Sequence, residues 1–369
     1  MTMSRVKVGV GVAGIVAALA LLVSGAGAQE LGLGFEGVRF WNGIVPSGLD
    51  LSLTYGDLGV LEGGDAFLYL KAGGGYENAS LVRDPLTGDP SSLVGGYEYD
   101  MLDFQWELAF VQGLSRRDDG DNLLEVFLFY RGRYDDYLNE LSTVVFPDAG
   151  TLFGTSVMAG VSYDSRVLDR HRSRSGVYAE ATAEWGPGFL NAVTDFWRVS
   201  AQARGFLPVY DTPTDGGNLF NVYLAGFAGI DYAGGDQVPI YVNQSFGGRD
   251  LRDSLGNVVR GYGWNKYDTS LKAVANAEVR LVGPAIVLDS VVPYLFAFGD
   301  VGYYAGFPDA TVKADASGVL ASVGGGVALD LVGFAQAGII AGVRLVEDDV
   351  GYTYDPEAFF WGIKFFLHF

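Results

Sequence analysis

The sequence predicts an all-β protein, a single antiparallel β-barrel that crosses a membrane, and three observations lead to this fold class. Apolar and polar residues alternate along most of the chain, which is the period of a β-strand. Only 18% of the 369 residues are charged, and 14% are aromatic, whereas soluble domains average about 25% charged residues. Aromatic residues recur at the ends of the alternating segments, as they do in the girdles at two membrane interfaces.

The first residues have the features of a secretory signal peptide, which we predict over residues 1–28. Arg5 and Lys7 precede an apolar run, and the small residues at 26–28 offer a cleavage site before Gln29. The alternative is a retained membrane helix. Residues 29–369 are then the predicted outer-membrane barrel, with a long loop at 233–266.

Amphipathic segments follow one another along this region with turns between them, and we count fourteen. They lie near residues 32–42, 48–57, 64–76, 98–112, 122–134, 151–164, 176–186, 195–209, 218–232, 267–282, 293–304, 318–330, 333–346 and 357–369. The longer connections follow the third, fifth, ninth, eleventh and thirteenth segments. This alternation is typical of outer-membrane barrels, whose periplasmic turns are short and whose external loops are long. Both termini are therefore predicted to lie in the periplasm.

The last segment resembles the C-terminal signal of bacterial outer-membrane proteins. Phe365, Leu367 and Phe369 fall on one apolar face, and the chain ends on an aromatic residue. We therefore expect the bacterial outer membrane, and its lipid as a partner.

The charge of the chain excludes a class of partners. Without Arg5 and Lys7, 22 basic residues stand against 44 acidic ones, so nucleic acid is not an expected partner. The acidic residues crowd into predicted loops, where they favour solubility, with binding of divalent cations as the alternative. Cysteine is absent, which excludes disulfides and cysteine-bearing zinc sites.

One motif on the long loop suggests a contact inside the barrel. The loop carries Gly247-Gly248 and then Val259-Arg260-Gly261-Tyr262, and a later segment carries Phe298-Gly299-Asp300-Val301-Gly302. A loop arginine and a strand aspartate on the polar face are expected to meet in the lumen, because the planar guanidinium matches a carboxylate.

These motifs resemble the barrel of the BamA/TamA outer-membrane family, also called bacterial surface antigens, from about residue 160 to the end. The resemblance implies that the long loop folds into the lumen, that Arg260 lies near Asp300, and that Tyr262 packs on the wall. The resemblance is also compatible with a barrel of sixteen strands instead of fourteen. We expect a barrel-only member without POTRA repeats, since the first strand begins close to the predicted cleavage site. The stretch at 249–257 is longer than the family pattern, and Arg260 with Asp300 could also serve only to stabilise the barrel.

The resemblance implies a barrel that handles outer-membrane or secreted polypeptides. In such proteins the seam between first and last strands opens, and a client strand adds to the exposed edge. Client polypeptides or periplasmic proteins are the expected partners. The alternatives are a passive or loop-plugged diffusion channel and a structural surface antigen. In the channel, selectivity would rest on lumen charges: Glu107, Glu180, Arg198, Arg204, Glu278 and Arg280.

An enzyme is the weakest alternative. After residue 28 the chain has two histidines, His171 in a basic turn and His368 in the last segment, and neither suggests a catalytic group. No metal or nucleotide motif is present, so the sequence predicts no catalytic residue, no metal and no cofactor.

Overall fold

The structure is a computed structural model of the chain. It describes residues 30–36, 39–40, 47–56, 58, 61–81, 97–138, 151–168, 174–191, 193–212, 220–249, 253–263, 267–286, 291–306, 317–331, 335–346 and 358–367. The predicted signal peptide and Phe369 lie outside this part of the chain. Phe365 and Leu367 lie on the last strand, where the structure describes the backbone but not these side chains.

The described residues form one antiparallel sheet. Its strands are β1 (Glu30–Glu36), β2 (Arg39–Phe40), β3 (Ser47–Tyr55), β4 (Ala66–Leu81), β5 (Tyr97–Arg116), β6 (Asn122–Tyr137), β7 (Thr151–Asp164), β8 (Val167–Leu168), β9 (Arg174–Gly186), β10 (Asp195–Asp211), β11 (Asn221–Gln237), β12 (Leu271–Val282), β13 (Val291–Ala305), β14 (Ser317–Leu331), β15 (Ala335–Arg344) and β16 (Phe359–Leu367). They follow one another in chain order round the sheet with two exceptions, both two-residue strands: β2 lies beside β16, and β8 pairs with β9 beside the main path.

The sheet closes on itself between its last and first segments. β1 pairs with β3 and β2 pairs with β16, and both β1 and β2 belong to the segment predicted at 32–42. In the described residues the strands therefore occupy fourteen positions round the barrel, one for each predicted segment. The all-β fold class and the segment count are confirmed, and the sixteen positions left open by the resemblance are not reached in this part of the chain.

The barrel is polar inside and apolar outside. On β10, Trp197 and Val199 are 42% and 47% exposed, whereas Arg198 and Gln202 between and beyond them are 4% and 8% exposed. The same pattern, with apolar residues exposed and polar residues buried, repeats round the sheet, because successive residues of a strand face opposite sides. A soluble sheet buries its apolar face. This arrangement suits a wall with lipid on one side and a polar lumen on the other.

The long loop begins later than the sequence predicted. β11 continues through Ala233–Gln237, and β12 begins at Leu271, so the connection is 238–270 rather than 233–266. Glycine weakens a strand interior in general, but at Gly234 the ring of Trp197 lies where a Cβ would fall, at 2.8 Å. Glycine is used there for close packing within a strand.

Two short helices, which the sequence did not indicate, lie in this connection: α1 (Ile240–Gln244) and α2 (Leu255–Val258). No helix in the described part of the chain is long and apolar enough to cross a membrane.

A charge on the outward face should destabilise the barrel. Val157 lies in the middle of β7 and is 38% exposed, so we expect Val157→Lys to lower the free energy of unfolding from lipid vesicles by about 2–4 kcal/mol. The matched control is Leu61→Lys in the turn before β4, where the residue is 54% exposed; this change should stay within about 0.5 kcal/mol of wild type. Denaturant unfolding in vesicles measures both. Equal losses would contradict a lipid-facing Val157.

Candidate functional site

The long loop runs through the interior of the barrel and presents its motif from the end of α2. Ser254 precedes this helix, and its hydroxyl accepts a hydrogen bond from the Asn257 amide at 3.3 Å, a typical N-cap. The helix ends at Val258, and the Val259 amide donates to the Leu255 carbonyl at 2.8 Å. The next residue, Arg260, therefore leaves the helix at a fixed point against the wall formed by β12 and β13.

Arg260 holds Asp300 with a two-pronged interaction. Its Nε donates to Oδ2 at 2.7 Å and its Nη2 donates to Oδ1 at 2.7 Å, and the Arg260 backbone amide also donates to Oδ2 at 3.1 Å. The Asp300 side chain is fully buried. This is the fork geometry that makes arginine–carboxylate pairs specific as well as strong.

Neighbouring side chains complete the surroundings of this pair. Asn276 is the cross-strand partner of Asp300, and its Nδ2 lies 2.7 Å from Asp300 Oδ1 and 2.9 Å from the Val258 carbonyl. Glu278, two residues along β12, accepts from Arg260 Nη1 at 2.6 Å. Asp300 thus accepts four hydrogen bonds, which satisfies both carboxylate oxygens.

The Arg260 cation is stabilised from several sides. Its guanidinium carbon lies 3.7 Å from the centre of the Phe298 ring, a cation–π contact. Burial alone would lower the pKa of Arg260, and Asp300 and Glu278 more than offset this, so that its pKa is raised above the usual value. The residue therefore carries its charge in the lumen at all physiological pH values.

Two glycines, Gly302 on β13 and Gly261 in the loop motif, permit close contact between the loop and the wall. A Cβ on Gly302 would lie 2.7 Å from Val259 Cγ2, and Val259 is fully buried. Gly261 has φ +96°, and a Cβ there would lie 2.4 Å from the Phe360 ring. Both positions therefore require glycine, one for packing and one for backbone conformation as well.

Tyr262 ends the motif at a different part of the wall. Its hydroxyl lies 2.9 Å from the Ala321 carbonyl on β14 and 2.8 Å from the Val346 carbonyl beyond β15, and it accepts from the Ala321 amide at 3.1 Å. Because the hydroxyl has a single proton, it donates to one of these two carbonyls at a time. The motif thus contacts β12, β13, β14, β16 and the residues just after β15 within four residues.

The glycine pair upstream of the motif contacts other strands. The Gly247 amide donates to Asp231 Oδ1 at 2.8 Å, and the Gly248 carbonyl accepts from Arg131 Nη1 at 2.9 Å. The sequence placed these glycines on the loop but gave them no partner.

A buried charge cluster escaped the sequence analysis. Asp231 on β11 is fully buried, and its carboxylate lies 2.7 Å from Arg198 Nε and 3.1 Å from Lys272 Nζ. Lys272 Nζ also donates to the carbonyls of Asn243 and Thr269, at 3.0 and 2.9 Å. The cluster therefore ties both ends of the long loop to the wall. Of the two acidic residues of β11, Asp231 and Asp236, the available signal was Asp231, because it lies among apolar residues away from the end of the strand.

Comparison with known proteins finds the same fold at low sequence identity. No protein-family profile and no curated protein sequence matches the chain. A structure of BamA from Haemophilus ducreyi lacking POTRA domains 1–3 is 14% identical with a TM-score of 0.54, and the match covers 92% of this chain and 70% of that one. CdiB from Escherichia coli is 14% identical with a TM-score of 0.50, and the match covers 91% of this chain and 62% of CdiB. At this identity the similarity shows the fold, which is that of bacterial outer-membrane β-barrels.

Removal of the Asp300 carboxylate should release the loop locally, at the Val259–Tyr262 motif. Asp300→Ala leaves Arg260 buried without its main partner, which favours local opening by about 3 kcal/mol, or about a hundredfold in the open population. The rate of trypsin cleavage within the loop, for a barrel in vesicles, measures this population. The control is Asp65→Ala, which removes half of an ion pair with Arg116 in which both side chains are about half exposed; it should cleave at the wild-type rate. Unchanged cleavage in Asp300→Ala would show that the pair does not hold the loop.

Proposed function

We propose that this chain is a BamA/TamA-type outer-membrane barrel that handles outer-membrane or secreted polypeptides by adding a client strand at its seam. The observation that carries the proposal is the packed motif from Val259 to Tyr262. Arg260 engages Asp300 and Tyr262 packs on the wall, the two contacts that the resemblance implies, and Val259 and Gly261 also lie against the wall. The fold similarity to BamA and CdiB supports the same assignment.

The part of the seam between β16 and β2 that the structure describes is short. Two residue pairs join these strands in the described part of the chain, Ile363 with Phe40 and Lys364 with Arg39. β15 and β16 are joined over nine pairs. A short ladder leaves backbone groups at the strand edges that a client strand can use, because an unpaired edge is a template for a further strand. The proposed client is therefore an unfolded polypeptide able to form a β-strand.

The proposed location is the bacterial outer membrane, with lipid as the partner of the apolar outward face. Strand parity then places both termini in the periplasm and the long loop on the external side. An unfolded client would approach the seam from the periplasmic side.

A loop-plugged diffusion channel is the second candidate, and the charged lumen favours it. Glu180, Glu184 and Arg198 are buried on the inner face. These charges are engaged by protein groups: Arg198 pairs with Asp231, and Glu184 accepts from Ser156 at 2.5 Å. A wall whose charges bind one another suits a filled lumen better than an open aqueous pore.

Locking the seam tests the proposed function. Phe40 and Ile363 are direct partners, at a separation suited to a disulfide, and the chain has no other cysteine. We expect oxidised Phe40→Cys/Ile363→Cys to lose all acceleration of the insertion of an unfolded outer-membrane barrel polypeptide into vesicles. Reduction should restore the wild-type rate.

The matched control locks two strands away from the seam. Val327 and Ile339 are direct partners on β14 and β15, so oxidised Val327→Cys/Ile339→Cys should insert clients at the wild-type rate. Equal activity of the two locked barrels would refute strand addition at the seam. A wild-type barrel that gives no acceleration over empty vesicles would favour the channel.

A further inference from the structure

The long loop contacts a second region of the wall, far from its motif. Arg131 on β6 donates from Nη1 to the Gly248 carbonyl at 2.9 Å and from Nη2 to the Arg249 carbonyl at 3.1 Å. Arg131 is 3% exposed, and its Nε lies 2.9 Å from Glu107 Oε1 on β5. A buried arginine from the wall therefore binds the loop backbone directly, with a carboxylate to balance its charge.

An arginine of the loop, Arg249, in turn binds side chains of the wall. The Arg249 amide donates to Glu180 Oε1 at 2.8 Å, and the Arg249 guanidinium pairs with Glu125 on β6. The same guanidinium lies 5.3 Å from the centre of the Phe127 ring, within the range of a cation–π contact. One arginine of the wall, Arg131, and one of the loop, Arg249, thus hold the same turn of the loop in place.

The turn itself allows little freedom. Gly248 has φ +130°, and a Cβ there would lie 2.7 Å from Glu180 Oε1 and 2.9 Å from Gln202 Nε2. A residue other than glycine would be strained and would also displace these side chains. The turn is therefore closely fitted to β9 and β10 as well as to β6.

The two regions of contact face each other across the lumen. Counted along the closed sheet in the described residues, β6 holds the fifth of fourteen positions, β13 with Asp300 holds the eleventh, and β14, which binds Tyr262, holds the twelfth. β6 is therefore six positions from β13 and seven from β14, about half a turn of the ring. The loop therefore crosses the full width of the barrel between Arg249 and Tyr262.

The second contact also borders a cavity. Arg249 and Glu125 line a space of about 570 Å³ together with Arg117, Asp121 and Asp164. These last three residues lie at or beside the turns that end β5 and β7, at the opposite end of the barrel from the start of the loop. The loop contributes Arg249 to the lining of this cavity.

The cluster at Asp231 ties the two ends of the loop to the wall. We infer that the part of the loop between these ends is held by two separate anchors, Arg260–Asp300 on one wall and Arg131–Arg249–Glu125 on the opposite wall, and that the lumen opens when both are released. Either anchor by itself keeps the loop tethered across the barrel, because the other end remains at high effective concentration. Arg131 is a positioning residue that acts through the loop. The inference is independent of the proposed handling of polypeptides, since it concerns the barrel without a client.

Single-channel conductance of the refolded barrel in planar bilayers tests the two anchors. Arg260→Ala releases the first anchor, and Arg131→Ala/Arg249→Ala together remove both arginines of the second. Each of these should keep a small current, whereas the combined variant, with both anchors released, should conduct severalfold more than either. The matched control is Arg260→Ala/Arg116→Ala, which removes an arginine from an exposed pair and should behave as Arg260→Ala does. Full opening by Arg260→Ala alone, or no gain in the combined variant, would overturn the inference.

Hydrogen exchange supplies a second measurement that needs no open pore. Gly248→Ala should raise the exchange rate of the amides at 247–249 by about tenfold or more, while the amides at 259–262 keep their wild-type rate. This variant alters no charge, so a change confined to the second anchor reports on the turn itself. Equal acceleration at both stretches would show a single anchor and overturn the inference.

Discussion

The ion pair between Arg260 and Asp300 is the interaction on which the interior of this barrel depends. Asp300 is buried and accepts three hydrogen bonds from Arg260 and one from Asn276, so each partner is satisfied only while the other stays in place. A buried charge without its partner is strongly destabilising. The pair therefore fixes where the loop leaves α2, and the packing of Val259 and Tyr262 on the wall follows from that point.

The wall is adapted to hold this pair. Inward-facing aromatic rings on β13 and β16 lie over glycines of the neighbouring strands, where a Cβ would fall within 2.6 Å of the ring: Phe296 over Gly326, Phe298 over Gly324 and Phe360 over Gly342. Rings that lie against glycine take up less of the lumen than rings held away by a Cβ, and an aromatic ring offers a π face to a cation. Phe298 uses that face to contact Arg260. The glycine of the neighbouring strand thus makes room for the Phe298 ring, and that ring in turn contacts the Arg260 charge of the loop.

The sequence predicted the strands well and the long-range partners in part. Alternation with a period of two is a local property, so each segment was visible without its neighbours. Arg260 and Asp300 were paired through the motif that contains them. Asp231 and Arg131 were not paired with the loop, because the register between distant strands sets those contacts and Arg131 binds a residue 117 positions away. The helices α1 and α2 are too short to show a helical period.

A loop that crosses the lumen from wall to wall should block it, and the conductance of the refolded barrel tests this most directly. Wild type would be compared with a deletion of residues 248–264, which removes both regions of contact but leaves every strand. The account predicts small, fluctuating currents in the wild type and large, steady currents after the deletion. A large, steady, ion-selective current in the wild type would contradict it and would indicate an open diffusion channel.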